Sequence, residues 1–199
     1  MSMIVCNMIS IYLYLFLSDG SWPFFMFLLS AMVHLPFSLG YHLFMPINKS
    51  VFETWRRLDL TFIFIASCPL TLALCYYAVP WPVTCILTGI MCLVSCIFVL
   101  FKKNIKQSTN ALFITIAVAC YTFPMIASAF LGKTSFWYPI ATLGSLLVSG
   151  LLYTNCWPER FFTPGTLDLF GRSHHFVHIL IGLAHVIEFI FIKDAMNYK

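Results

Sequence analysis

Residues 171–192 read "GRSHHFVHILIGLAHVIEFIFI". From Ser173 onward, twenty residues carry one acid and no Lys or Arg, which is enough to cross a bilayer as a helix. Yet the run contains four histidines, three of them within its first six positions. Polar groups at such depth are costly and tend to be functional. The stretch therefore predicts a membrane helix with chemistry at its entry.

The rest of the chain agrees with a lipid solvent. Of its 199 residues, 61% are hydrophobic and 9% charged, and the mean hydropathy is +0.91. A soluble domain is nearer a quarter charged. No basic stripe of useful length exists, so the net charge of +4 does not describe a nucleic-acid surface. The eight cysteines mostly fall inside apolar segments and form no CxxC. They read as small buried hydrophobes rather than as a disulfide framework.

Apolar segments are expected near 3–17, 22–46, 60–79, 82–101, 110–131, 136–155 and 173–192, forming one domain over 1–199. Six of them meet the spanning length of roughly 20 residues. The first, "MIVCNMISIYLYLFL", is shorter; it lacks the basic start and the cleavage site of a signal peptide. It is expected to be a true first helix of a chain whose start is missing. Turn-rich stretches separate the segments: "SDGSWP" (18–23), "MPINKS" (45–50), "VPWP" (79–82), "KKNIK" (102–106), "LGKTS" (131–135) and "WPERFFTPGT" (157–166). The expected fold is an all-α membrane protein, a seven-transmembrane helix bundle.

Basic residues give the orientation. Lys49, Arg56, Arg57, Lys102, Lys103, Lys106, Arg160 and Arg172 fall on the side of the N-terminus. Lys133, Lys193 and Lys199 fall on the other. Positive charge stays inside, so the N-terminus is expected to be cytoplasmic and the C-terminus outside or lumenal. The membrane is the plasma membrane or an internal one of the ER or Golgi.

This topology gathers polar residues at the inner leaflet. His174 and His178 lie four apart, about 40° around the helix and about 6 Å along it, so both reach one ion. His175 is turned about 100° from His174 and does not join them. His42 ends the second segment in "SLGYHLF", with Ser38 on the same face. Asp59 is expected to open the third segment in "WRRLDLTF". Three imidazoles with an open position and a carboxylate nearby are the pattern of a catalytic zinc site. The bland reading of a lone His-x-x-x-His pair is interfacial polar packing, and the convergence of His42 and Asp59 weighs against it. His34 is expected to be a core histidine. His185 and Glu188, further outward, are expected to play a structural role and to be able to hydrogen-bond to each other.

The segment 159–178, "ERFFTPGTLDLFGRSHHFVH", closely resembles the approach to the last helix in the progestin and adipoQ receptor family, which includes the adiponectin receptors and is similar to the hemolysin III proteins. The matching elements are Pro158-Glu159-Arg160, Pro164-Gly165, Leu167-Asp168 and Ser173-His174 to His178. Ser38 and His42 match the family's Ser-x-x-x-His, and Asp59 follows His42 at the family spacing. The resemblance covers about residues 30–192. Ahead of the first helix the chain has no clear match to the family's Glu-x-x-Asn-x-x-Thr-His-like motif.

The resemblance implies zinc (Zn2+) held by His42, His174 and His178, a metal-bound water held by Asp59, and Ser38 lining the site. It also implies a zinc-binding receptor with ceramide-type lipid amide hydrolysis coupled to signalling. The alternative is a non-catalytic receptor or scaffold in which zinc is structural. Short outer loops favour a lipid or small hydrophobic ligand entering from the membrane over a protein hormone. A second copy of the chain is a further candidate partner.

The orientation is testable. A tag after residue 199 should be reached by antibody outside intact cells, or protected within a lumen. A tag within 102–106 should be cytoplasmic. Finding the first tag in the cytoplasm would invert the charge argument.

Overall fold

The structure, a computed structural model, describes residues 2–78, 81–101, 107–163, 166, 171 and 173–198. The "KKNIK" turn, Pro164-Gly165, Leu167-Asp168, Arg172 and Lys199 lie outside the described residues, as does part of "VPWP". Among the described residues the chain is helical, with no strand.

Seven α-helices follow in order: α1 (Ser2–Tyr12), α2 (Trp22–Phe44), α3 (Lys49–Ala78), α4 (Trp81–Phe101), α5 (Gln107–Phe130), α6 (Trp137–Thr154) and α7 (Ser173–Asn197). A π-helical turn, Leu13–Leu17, continues α1. Spans within α2 to α7 are long and apolar enough to cross a membrane, whereas the first apolar helix, Ile4–Leu17, is shorter. The division into six full-length segments and one short one is as the apolar runs predicted.

The largest difference lies at α3. It begins at Lys49, eleven residues before the expected start at 60. Hydropathy marks where a helix is immersed, not where its hydrogen bonds begin. "KSVFETWRRLD" has no Pro or Gly to break it and includes good helix formers. Asp59 therefore does not open α3. It lies ten residues into the helix, about 15 Å along the axis from the start. For the same reason α7 runs on to Asn197, five residues beyond the apolar run.

Helix α3 is the hub. It packs along α2 most extensively and also touches α4, α5 and α7; α6 packs on α7, and α1 on α7 and α2. In lipid, such association rests on close packing and interhelical hydrogen bonds rather than on expulsion of water. The main packed cluster fills the half of the bundle away from His42. It joins Phe24 and Phe27 of α2, Leu70 and Leu74 of α3, Met125 of α5, and Phe189, Phe191 and Ile192 of α7. The Phe24–Phe189 rings lie 4.9 Å apart and the Phe27–Phe189 rings 5.7 Å apart. Each such pair contributes about 0.5–1.5 kcal/mol beyond its buried area. The outward faces are apolar instead of polar: Phe101 is 81% exposed and Phe130 76%. Water would not tolerate that surface; acyl chains do.

Two close approaches set helix spacing beside the histidines. A side chain on Gly40 would collide with the Trp55 indole of α3. On α7, a Cβ at Gly182 would fall 2.8 Å from the Cys6 sulfur of α1, and the Cys6 thiol donates to the His178 carbonyl at 2.8 Å. At the far end, the Lys193 ammonium donates to the Leu17 carbonyl at 3.3 Å. In the loop before α2, the Ser21 amide donates to Asp19 at 2.9 Å and holds that carboxyl below its usual range.

Gly182→Ala should therefore destabilise the detergent-solubilised protein by about 1–3 kcal/mol through overpacking. Cys6→Ala should relieve it, because the Cys6 Cβ would sit 3.6 Å away, at ordinary contact distance. The unfolding midpoints of both single variants and the double variant check this. Additive losses would show that the two helices do not meet there.

Candidate metal centre

The last turn of α2 and the first two turns of α7 bring three histidines together. His42 Nε2 and His174 Nε2 lie 3.0 Å apart, and His174 Nε2 and His178 Nε2 lie 3.1 Å apart. The three donor atoms all fall within 4.8 Å of one another. His178 is buried, and the other two are half-buried. Tyr41 and Tyr153 stand beside the imidazoles, with ring centroids 5.3 Å from His42 and 5.9 Å from His174.

This donor set fits a metal ion. Zinc–nitrogen bonds of about 2.0–2.1 Å in a tetrahedron place two nitrogens about 3.3 Å apart, close to the 3.0 Å and 3.1 Å that separate His174 Nε2 from the other two. Without an ion the cluster is poorly served. His174 Nε2 faces two other nitrogens, and a neutral imidazole nitrogen offers either one N–H or one lone pair. A cation accepting all three lone pairs resolves the conflict. Among the described residues, His178 Nδ1 is buried with no hydrogen-bond partner. Three histidines within reach can hold a metal ion, and three ligands leave a tetrahedral position open.

The start of α7 is secured by a carboxylate. The Ser173 amide donates to Glu159 Oε2 at 2.6 Å, and the Ser173 hydroxyl donates to Glu159 Oε1. A carboxylate there satisfies an otherwise orphaned helix amide and complements the positive end of the helix dipole. It also fixes where His174 begins. The sequence pattern contained both residues, but their contact spans fourteen positions and no local periodicity reveals it.

Asp59 is close to the cluster without belonging to it. Its carboxylate interacts electrostatically with His42, His174 and His178, but the group within reach of one ion is the three histidines alone among the described residues. Its hydrogen-bond partner is His34, Nε2 to Oδ1 at 2.9 Å. His34 is thus partly exposed and paired, not a core histidine. The signal available in the sequence was its spacing: His34, Ser38 and His42 recur every four residues, a stripe on one face of α2. Ser38 is buried, at 2% exposure. His175 is not part of the group within reach of the ion. Two turns beyond His178 along α7, His185 Nδ1 and Glu188 Oε2 lie 2.7 Å apart, the hydrogen bond expected of them.

Fold and site together define a multi-pass helical membrane protein with a histidine centre able to hold a metal. The chain belongs to the haemolysin-III-related family, whose model matches residues 1–189. The match bears out the resemblance drawn from the motifs of α2 and α7. No curated protein matches the chain.

Purified protein should bind about one metal ion per chain. His178→Ala should lose most of it, because two nitrogens remain, while His175→Ala should retain it. Elemental analysis of both variants decides. Equal losses would refute the grouping of His174 with His178 and not with His175.

Proposed function

We propose that the protein is a zinc-dependent hydrolase of a ceramide-like lipid amide, its turnover linked to signalling. The observation that supports this most is the meeting of three imidazole nitrogens beside a carboxylate that is not itself within reach of the ion. Imidazole donors suit several divalent metals. A three-histidine set with an open tetrahedral position favours zinc. When bound, zinc supplies Lewis acidity: it brings the pKa of a water near 7 and polarises a carbonyl.

The chain's own residues do the rest. His42, His174 and His178 present neutral nitrogens from two helices and leave one side of the site open. Asp59 accepts the proton of the attacking water and passes it to the amide nitrogen as the C–N bond breaks. Water and amide thus yield a carboxylic acid and an amine. Ser38, buried and one turn from His42 on the same face of α2, is assigned to the lining of the site. With the orientation expected from the basic residues, the centre lies at the cytoplasmic leaflet, where a lipid substrate enters sideways.

Asp59→Asn preserves size and hydrogen-bonding capacity but removes the base. Zinc content and folding should stay near normal, and ceramide hydrolysis should fall by about 10²–10⁴-fold. His42→Ala should lose both metal and activity. A wild-type protein that keeps its zinc yet hydrolyses no lipid amide would overturn the enzyme reading in favour of a receptor with structural zinc.

A further inference from the structure

We infer that His34 is the positioning residue for Asp59: it anchors one carboxylate oxygen so that the other is presented toward the histidine centre. The inference rests on the hydrolase reading for its consequence, but the His34–Asp59 contact stands independently of it.

The geometry is specific. α2 and α3 form an antiparallel hairpin, and His34 and Asp59 face each other across it with Nε2 and Oδ1 2.9 Å apart. Their side chains retain only 19% and 18% of their exposure. His34 is eight residues from His42, two turns and about 12 Å along α2. It is therefore too deep to act as a fourth ligand from the same end of the helix. Close polar contacts pair Glu159 with Ser173, His174 with both His42 and His178, and Asp59 with His34.

A carboxylate inside a helical bundle needs a donor, because an unpaired charge there is heavily penalised. An aspartate side chain also has several staggered rotamers. One hydrogen bond to His34 meets both needs. It satisfies Oδ1 and selects the rotamer, and so fixes the direction in which Oδ2 is presented. Groups that hold a reacting side chain to within a fraction of an ångström commonly change rates by 10–100-fold without touching the substrate.

The test compares wild type, His34→Leu, His34→Asn, His34→Gln and Asp59→Asn in full-length purified protein. Gln carries an N–H donor at about the reach of His Nε2, whereas Asn is polar but too short and stands in for Leu should that variant misfold. Three quantities are read: metal content, the absorption spectrum of the cobalt-substituted protein, and kcat and KM for a short-chain ceramide.

His34→Leu and His34→Asn should keep full metal, shift the cobalt spectrum as Asp59→Asn does, and lose about 10–100-fold in kcat with little change in KM. His34→Gln should restore the spectrum and bring kcat to within about threefold of wild type, well short of the roughly 10–100-fold loss expected when an outer-shell partner is removed. A His34→Leu protein with wild-type spectrum and kcat would overturn the inference while leaving the hydrolase reading intact. Loss of metal in His34→Leu, or failure of Gln to rescue, would also overturn it. If wild type shows no turnover, the hydrolase reading falls and the cobalt spectra still decide the positioning role. If neither variant moves the spectrum, Asp59 does not communicate with the metal and the inference falls as well.

Discussion

Three imidazole nitrogens meeting between α2 and α7 are the constraint around which this bundle is arranged. Each would be costly alone in a membrane interior. Together they demand a shared cation or imperfect hydrogen bonds to one another. Either solution holds the C-terminal end of α2 against the first turns of α7, although 132 residues separate His42 from His174. The connecting helices must then circle back to allow it, and α3, which follows α2 directly, packs on α2, α4, α5 and α7.

The two halves of the bundle divide the work. The half away from His42 is held by aromatic and aliphatic packing of α2, α3, α5 and α7, with Phe24, Phe27 and Phe191 fully buried. That half has little freedom, since dense packing of rigid rings resists displacement. The half that carries the histidines adds directional contacts: Glu159 on the start of α7, His34 on Asp59, the Cys6 thiol on the His178 carbonyl. A rigid apolar half thereby supports a polar half whose geometry must be correct to a fraction of an ångström. Polar contacts are worth having in lipid because they supply orientation, even where each contributes little net stability.

Small residues make the approach of backbones possible where the site needs it. Gly40 lets the Trp55 ring lie against α2 two residues before His42, and Gly182 lets α1 come within reach of α7 one turn beyond His178. Both act on spacing: a methyl group at either position would push a neighbouring helix away from the histidine centre.

Much was legible in the sequence alone. Apolar runs mark the membrane segments because immersion in lipid requires about 20 apolar residues, a local property. The pairing of His174 with His178 follows from helical period, as does the hydrogen bond between His185 and Glu188. The start of α3 was not legible, because charged residues such as Arg56 and Asp59 look like loop by hydropathy while helix hydrogen bonds carry on through them. The tertiary structure alone decided that His34 meets Asp59, that Glu159 caps α7, and that three nitrogens lie within bonding distance of one ion. These are contacts between segments distant in the chain, and neither hydropathy nor periodicity specifies how one helix rotates against another. That rotation is settled by the packing of all the helices at once.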